Sequence, residues 1–398
     1  MAKNANGEGS IYKRTRDGRP AGYVAALTYE DEHGRPQRIR VYGPTRAEAR
    51  EKLRKARERI ESGAPARDAA MPVRAWMAHW RATTLAASDR KPATRALYEN
   101  LSRLHLEPEP FGATRLDKLK PSDVEKLILA LRAKTKPGRK DADGNESDPV
   151  RALSDSTIRS AYTVLRAALD GAVRDGLLAR NPAAAVKRPG VERAEAKHLD
   201  QGDVTKLLAA AEGSRYYPAL VLIAATGLRR GEVLALAWDR VDLDAKVLKV
   251  AATIGRIGGE LVISAPKTER SRRTVPLSTA VVELLRKQKA AQAAERLRAG
   301  DQWRDSGLVF TTELGRPVDP RNLLRVVEVA AKAAGVKTDL HTIRHSAAVA
   351  WLEAGVHIKA VADLLGHSSV AITGDIYGHT SDDTARAAVD KLSAGLGL

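Results

Sequence analysis

The pattern of hydrophobic and polar positions is strand-like over the first forty residues and helical immediately afterwards. The alternation typical of short strands covers residues 10–14, 22–29 and 37–42. Helical spacing then continues to about residue 62. Thr45, followed three positions later by Glu48, predicts a capping box where this helix starts. The pattern therefore predicts a small module of three strands and one helix.

Helical spacing persists through the middle of the chain. Apolar residues recur at helical intervals in four segments, 73–85, 92–106, 122–133 and 154–177. The charged, glycine- and proline-containing sequence KTKPGRKDADGNESDP predicts a loop before the fourth segment. Residues 63–70 and the sequence NPAAAVKRPGVERAEAK read as linkers, so this part is predicted to be an all-helical domain.

The remaining half combines helices with short strands. The predicted helices cover residues 200–212, 217–226, 229–237, 278–298, 319–334 and 382–393. The predicted strands cover residues 246–253, 260–264 and 272–276. The chain is thus expected to be multidomain and mainly α, with small β-sheets. The expected domains are a small three-stranded sheet plus helix (1–66), a helical domain (67–190) and an α+β domain (195–398).

Charge narrows the choice of partner. The formal net charge is +18 over 398 residues, which indicates a polyanion, most often nucleic acid. Residues 1–62 carry 15 lysines and arginines against 9 acids, residues 63–190 carry 23 against 15, and residues 191–398 carry 29 against 25. The excess is densest in the first half, so we expect DNA-binding modules there. Aromatic residues make up only 4% of the chain, which favours duplex DNA over stacking of unpaired bases.

Composition also excludes several kinds of chemistry. The chain has no cysteine, which removes disulfides, thiolate metal sites and a cysteine nucleophile. The start MAKNANGEG has no signal-peptide pattern. The longest apolar stretch, YYPALVLIAATGL, is shorter than the roughly 18 residues of a membrane span. We therefore expect a soluble, cytoplasmic protein with no membrane partner.

Histidines concentrate near the end of the chain. Five of the nine lie between His341 and His379, together with Arg344 and Tyr377. His341 and Arg344 are three residues apart and so share one face of a predicted helix. His341 and His345 have the spacing of a helical zinc pair, but Thr342 stands where HExxH has its glutamate, and we expect no metal.

Two upstream stretches add further candidates, and in LLGHSSVAITGDIYGH Gly366 ends a predicted helix and His367 begins the next connection. In TGLRRGEVLAL, Gly227 permits a tight turn before a helix that begins near Arg229, where backbone N–H groups and a guanidinium could converge on an anion. In ISAPKTERSRRTVPL, Lys267 lies between two strands, where a lysine is most often merely solvated. Taken alone, Tyr377 could be an ordinary tyrosine of an amphipathic helix, and His357 is most simply structural.

Five short sequence motifs together resemble those of one protein family. TGLRRGEVLAL, PKTERSRRTVPL, HTIRH, LLGH and DIYGH resemble, in order and spacing, the catalytic domain of tyrosine recombinases, the phage and plasmid integrase family. The resemblance covers residues 195–398. Residues 67–190 resemble the family's helical core-type DNA-binding domain, and residues 1–66 resemble its arm-type DNA-binding domain.

The resemblance implies a role for each of six residues. Tyr377 would attack a DNA phosphodiester and form a 3′-phosphotyrosyl bond, while Arg229 and Arg344 hold the non-bridging oxygens. Lys267 would protonate the departing 5′ oxygen. His341 would act as general base or proton relay, and His367 would hydrogen-bond the phosphate.

Elementary chemistry is consistent with these roles. A phenol with a pKa of about 10 is mostly neutral at pH 7, so a tyrosine nucleophile needs a base or nearby cations. Planar, permanently charged guanidiniums match the equatorial oxygens of a transferring phosphoryl group. Metal-assisted transfer would instead need clustered carboxylates, which do not accompany these motifs. The phosphotyrosine conserves the bond energy, so no cofactor is expected.

The resemblance also implies partners. We expect a bacterial, DNA-associated site-specific recombinase that acts as a homotetramer on duplex core and arm attachment sites, through a Holliday junction. Such an integrase could need an excisionase and a host DNA-bending protein. The last predicted helix would either cover its own domain or dock on a neighbouring subunit. A type IB topoisomerase and a DNA-binding regulator with an inactive site remain the alternatives.

Overall fold

A computed structural model describes residues 10–16, 19–30, 36–61, 70–138, 147–192, 197–266, 271–367, 369–376, 390 and 393. The chain divides into two compact units, Met1–Arg193 and Ala194–Leu398. Both contain helices and small antiparallel sheets, as the sequence predicts. The further division of the first unit into residues 1–66 and 67–190 stays a prediction.

The first unit begins with a three-stranded antiparallel sheet and one helix. The strands are β1 (Ser10–Arg16), β2 (Arg19–Glu30) and β3 (Pro36–Gly43), in the order β1-β2-β3, and the helix is α1 (Arg46–Glu61). One face of the sheet packs on α1 through Ala25, Leu27 and Leu53. The structure shows the Thr45 half of the predicted capping box, because Thr45 Oγ1 accepts the Glu48 N–H at 3.2 Å.

Helices with a second hydrophobic core make up the rest of this unit. They are α2 (Val73–Trp80), α3 (Pro92–Leu101), α4 (Pro121–Ala133) and α5 (Asp155–Arg174). A two-residue pair, β4 (Thr135–Lys136) and β5 (Val150–Arg151), follows α4. The predicted helices 73–85 and 92–106 are not α-helical throughout, because each ends in a π-helical turn, Arg81–Leu85 and Ser102–Leu106. Trp76 connects this core to α5 by donating to Ala168 O at 2.8 Å.

The second unit is built mainly of helices around one large core. They are α6 (Gln201–Ala211), α7 (Tyr217–Thr226), α8 (Arg230–Leu234), α9 (Thr279–Ala299), α10 (Pro320–Ala334), α11 (Leu340–Glu353), α12 (Ile358–Leu365) and α13 (Val370–Ile376). Beside the large core lies a smaller cluster that includes α12 and consists of Ala348, Val361 and Leu365. The prediction of a helix over 229–237 was too long. Beyond α8 the backbone pairs with a neighbouring segment instead, since Trp238 N donates to Gly307 O at 2.9 Å and Val309 N donates to Leu236 O at 2.8 Å.

The strands of this unit form two small sheets. One contains β6 (Val241–Asp242), β7 (Val247–Val250) and β10 (Arg273–Pro276), and the other is a hairpin of β8 (Thr253–Ile257) and β9 (Glu260–Ser264). The single strand predicted over 246–253 is therefore wrong, because β7 and β8 belong to different sheets. The hairpin turns at Gly258 and Gly259, which both have positive φ, as a tight two-residue turn requires.

Two further predictions concern the end of the chain. His357 is structural, as expected: its Nδ1 accepts the Lys359 N–H at 3.2 Å and caps α12. The predicted final helix 382–393 lies outside the described residues, apart from residues 390 and 393. Among the helices that the structure describes, none is long and apolar enough to cross a membrane.

Candidate functional site

Arg229 and Arg344, which lie 115 positions apart in the sequence, meet at the C-terminus of α12. Arg344 Nη2 donates to Leu365 O at 2.7 Å. Arg229 Nη1 reaches the same oxygen at 3.5 Å, and its Nη2 donates to Gly366 O at 3.3 Å. The fold therefore brings together two of the six predicted site residues, on the segment that leads to a third, His367.

The two arginines differ in exposure. Arg344 lies on α11 and is only 2% exposed, and its Nη1 donates to Gly227 O. The Arg229 side chain is 41% exposed. A buried guanidinium held by backbone carbonyls is rigid, whereas Arg229 keeps a solvent-facing surface on which an anion could lie.

Two glycines permit this close approach. Gly227 (φ +61°) ends α7, and a Cβ there would lie 2.7 Å from Leu365 Cδ2. Gly366 (φ +65°) ends α12, and a Cβ there would lie 2.9 Å from Arg273 Nη1. Side chains rarely adopt such positive φ values, so both positions need glycine for conformation as well as for space.

A buried carboxylate lies beside Arg229. Glu232 Oε1 accepts from Arg229 Nη1 at 2.8 Å, and Oε2 accepts the Arg229 backbone N–H at 3.0 Å. The second carboxylate partner is Arg273, whose Nη2 lies 2.9 Å from Glu232 Oε2. Burial by itself raises the pKa of Glu232, but Arg273 and Arg229 more than offset this, so its pKa is lowered and it is ionised.

Arg273 was missed at the sequence level. It opens β10, its side chain is 6% exposed, and its Nε donates to Leu364 O at 2.6 Å. The signal that could have found it is its place among the three arginines of PKTERSRRTVPL. Arg272 and Arg273 look alike in the sequence, and only the packing distinguishes buried Arg273 from exposed Arg272.

The last carbonyls of α12 organise the whole cluster. Ala362 O accepts the His367 N–H at 2.9 Å and Asp363 O accepts the Gly366 N–H at 3.0 Å, which closes the helix end. The next three carbonyls, Leu364, Leu365 and Gly366, accept from arginine side chains. Carbonyls at a helix C-terminus have no hydrogen-bond partner within the helix, and the helix dipole is negative there. They therefore lower the electrostatic cost of grouping three guanidiniums.

His341 lies at the start of α11, close to this cluster. Its backbone N–H is capped by Asp339 Oδ1 at 2.8 Å, and its ring meets the His345 ring edge-on at 4.3 Å between centroids. Burial, followed by the charge of Arg344, lowers the pKa of His341. Burial and His341 lower the pKa of His345 to about 4. Both rings are therefore neutral at pH 7.

His367 follows α12 and faces the helix that ends before Tyr377. Its Nδ1 lies 2.9 Å from Thr373 Oγ1 in α13, and Thr373 is fully buried. Burial, then Arg344 and Arg229, lower the pKa of His367 to about 4, so the ring is neutral. When Thr373 donates to Nδ1, the proton of the ring is on Nε2, where it can be donated to an anion.

The remaining two predicted site residues, Lys267 and Tyr377, lie outside the described residues. In sequence, Lys267 follows Pro266 after β9, and Tyr377 follows Ile376, the last residue of α13. The described part of the site holds three guanidiniums against the Glu232 carboxylate, with neutral imidazoles around them. That net positive charge, with donors directed from fixed positions, suits a phosphate.

Comparison with known proteins gives the same family from sequence. A model of the phage integrase family matches residues 197–384. A XerC-like tyrosine recombinase of Caldanaerobacter subterraneus is 29% identical over 99% of both chains. An integrase of Streptomyces ambofaciens is 30% identical, over 84% of this chain and 83% of the relative.

Solved structures share the fold. The Tn1549 transposon integrase in complex with transposon right-end DNA matches with a TM-score of 0.64 at 22% identity, over 81% of this chain and 100% of that one. A lambda integrase dimer bound to a core site matches with a TM-score of 0.57 at 17% identity, over 93% of this chain and 96% of that one. The predicted fold class, a multidomain, mainly α chain with small sheets, is confirmed.

Proposed function

The chain belongs to the phage integrase family of tyrosine recombinases, and on this basis we propose that the arginine cluster at the C-terminus of α12 holds the scissile phosphate of a DNA strand. The protein is a site-specific recombinase, an enzyme that cleaves and rejoins DNA strands during integration and excision of mobile elements. The observation that carries the proposal is the meeting of Arg229 and Arg344 on Leu365 O.

Arg229 and Arg344 bind the two non-bridging oxygens. The charge that builds on these oxygens in the transition state meets guanidiniums already fixed by backbone carbonyls, so little reorganisation is needed. His367 donates to the phosphate through Nε2. Its neutral state leaves the two guanidiniums as the main source of positive charge.

Tyr377 is the nucleophile. Its Oη attacks phosphorus, the new P–O bond leaves the enzyme joined to the 3′ phosphate, and the bond from phosphorus to the 5′ oxygen breaks. Lys267 gives a proton to that 5′ oxygen, and His341 takes up the phenol proton as base or relay. Rejoining runs the same steps in reverse with a 5′ hydroxyl from the partner strand, so a Holliday junction forms after one pair of exchanges.

The N-terminal module binds arm-type DNA sites. Support comes from the sheet face opposite α1, where Tyr12 and Tyr42 are exposed and Arg14 lies over the Tyr42 ring at 5.1 Å. Exposed Arg40 lies on the same face. A basic sheet face with exposed rings can lie along a DNA groove and contact its phosphates.

The helical segment 67–190 binds core-type sites, and the active assembly is a homotetramer on two duplexes. The net positive charge of this helical segment supports its contact with the phosphate backbone. The predicted helix 382–393 docks on a neighbouring subunit. An excisionase and a host DNA-bending protein set the direction of recombination.

The experiment begins by finding a cognate duplex. A pool of random-sequence duplexes is incubated with the full-length chain, and covalently captured DNA is recovered and sequenced. A nicked form of the recovered sequence is the selected core duplex. It traps the covalent adduct because the short cleaved strand diffuses away. Wild type should form the adduct and Tyr377→Phe should not.

The control is the capacity to bind. Tyr377→Phe should hold the selected core duplex with wild-type affinity in fluorescence anisotropy, since only the nucleophile has changed. Failure of wild type to capture any duplex, or an adduct with Tyr377→Phe, would contradict the proposal.

A further inference from the structure

Arg273 connects the three parts of the site. Its guanidinium forms a two-pronged ion pair with Glu232 of α8, at 2.9 and 3.3 Å. Its Nε donates to Leu364 O of α12 at 2.6 Å. Its backbone lies in β10 and pairs with Val250 of β7. One side chain therefore holds a strand, the start of one helix and the end of another in fixed relation.

We propose that Arg273 is a positioning residue for cleavage, which sets the direction of the Arg229 guanidinium by orienting Glu232 and the C-terminus of α12. This inference rests on the proposed role of Arg229. Arg273 itself does not touch the phosphate, because its nitrogens are engaged by Glu232, Leu364 O and Ser271 O and its side chain is 6% exposed.

Arg273 contacts the groups that hold the two terminal nitrogens of the Arg229 side chain. Arg229 Nη1 is held by Glu232 Oε1, the carboxylate oxygen that also accepts from Arg273 Nη1. Arg229 Nη2 is held by Gly366 O, two residues beyond the carbonyl that accepts from Arg273 Nε. Two of the groups that hold the Arg229 side chain, Glu232 and the end of α12, are thus fixed by Arg273. Without it, Glu232 keeps only its contacts with Arg229 among the described residues, and the end of α12 loses one of the three arginines that contact it.

Charge gives a second reason for this arrangement. Glu232 is the carboxylate between Arg229 and Arg273, and with Arg273 absent its whole charge would act on Arg229. A carboxylate that holds Arg229 more strongly competes with the phosphate for the same guanidinium. Arg273 therefore shares the carboxylate and leaves part of the Arg229 charge for the DNA.

The test uses full-length protein and the selected core duplex. Arg273→Met should form the covalent adduct about tenfold to a hundredfold more slowly, while DNA affinity changes by less than about threefold, because the lost interaction acts on transition-state alignment. Arg273→Lys keeps one charge opposite Glu232 but cannot also reach Leu364 O, so it should fold normally and still cleave about tenfold more slowly. A wild-type rate for Arg273→Lys would overturn the proposal.

A matched control separates positioning from general stability. Arg215 has equivalent partners in the same unit, a two-pronged pair with Glu295 at 2.5 and 2.6 Å and a carbonyl acceptor, Thr311 O, at 3.1 Å. Arg215→Met should also lower the melting temperature, by less than Arg273→Met because Arg215 is 28% exposed and Arg273 only 6%, and should leave the cleavage rate unchanged. Equal slowing by both variants would mean that Arg273 acts only through stability.

A double-mutant cycle tests the route through Arg229. If Arg273 acts by directing Arg229, then Arg273→Met should cause no further slowing, within about twofold, in a chain that already carries Arg229→Met. Full additivity of the two effects would overturn the proposal. Failure of the wild type to capture DNA would instead overturn the proposed function, so the two failures can be told apart.

Discussion

Arg229 and Arg344 share one acceptor, the carbonyl oxygen of Leu365, at 3.5 and 2.7 Å. Two guanidiniums so close together repel each other, and the shared carbonyl at a helix C-terminus offsets part of that cost. The pair is therefore organised before any DNA arrives. The different exposure of the two side chains leads to different expectations for their variants.

Arg229→Ala should abolish most cleavage with little loss of stability. Glu232 keeps Arg273 as partner and the Arg229 side chain is 41% exposed, so no buried charge is left unpaired. Removing one preorganised phosphate donor should slow adduct formation by about two to three orders of magnitude. Single-turnover cleavage of the selected core duplex and urea denaturation measure the two effects. Arg240→Ala, an exposed arginine outside the site, should change neither.

Arg344→Ala should lose both cleavage and stability. Its guanidinium is buried and donates to Gly227 O and Leu365 O, so its removal leaves a cavity, takes the Arg344 donor from Gly227 O and leaves Leu365 O with the longer contact to Arg229. We expect about 2 to 4 kcal/mol less free energy of unfolding, with cleavage at background level. The same urea series tests this. A loss of stability no larger than that of Arg229→Ala would contradict it.

His367 should stay neutral well below pH 6. Its pKa is lowered to about 4 from an ordinary value of 6.5 by burial and by Arg344 and Arg229, so the unfolded chain takes up a proton before the folded chain does. Stability from this residue is thus complete above about pH 6.5 and is lost as the pH falls toward about 4. Nitrogen-15 chemical shifts of the imidazole report the pKa directly.

A comparison of stabilities isolates the contribution of His367. Between pH 7 and pH 5, wild type should lose more free energy of unfolding than His367→Asn, whose side chain does not titrate. Equal losses, or an imidazole of the free protein that titrates near 6.5, would show that the ring is not desolvated as described.

Gly366→Ala should damage the site more than Gly335→Ala. Both glycines end helices with nearly equal positive φ, +65° and +68°, so both variants should lose about 1 kcal/mol from backbone strain. Only at Gly366 does the added Cβ meet another group, Arg273 Nη1 at 2.9 Å, whereas nothing lies within 4 Å at Gly335. Slower adduct formation is expected for Gly366→Ala alone. Equal rates for the two variants would refute the expectation.

Deletion of residues 1–62 should remove binding to arm-type sites and leave cleavage of the selected core duplex largely intact. The removed sheet and α1 have their own hydrophobic core, formed by Ala25, Leu27, Ile39, Ala49, Leu53 and Ala56. Adduct formation on the core duplex and anisotropy with longer attachment-site DNA measure the two activities. Equal loss of both would contradict the modular interpretation.

Much of the candidate site could be predicted because its residues belong to short sequence motifs. Glycine before a helix that begins with arginine, His341 three residues before Arg344, and a histidine directly after a helix-ending glycine each restrict the local conformation. Helix and strand positions also followed from periodicity, as for α5 and α10. The exceptions were segments such as 229–237, where pairing with residues 307–309 replaced helical hydrogen bonds.

The sequence by itself determined the fold class, the family and the kind of chemistry, because periodicity, composition and motif spacing are local properties of the chain. Only the tertiary structure decided that Arg273 is buried while Arg272 is exposed, that Glu232 lies between Arg229 and Arg273, and that three successive carbonyls at the C-terminus of α12 hold three guanidiniums. These contacts join residues 3 to 137 positions apart, and burial distinguishes side chains that look equivalent in the sequence. Tertiary packing decides which donors form hydrogen bonds with the carbonyls at a helix end. No local sequence pattern encodes which distant side chains these donors will be.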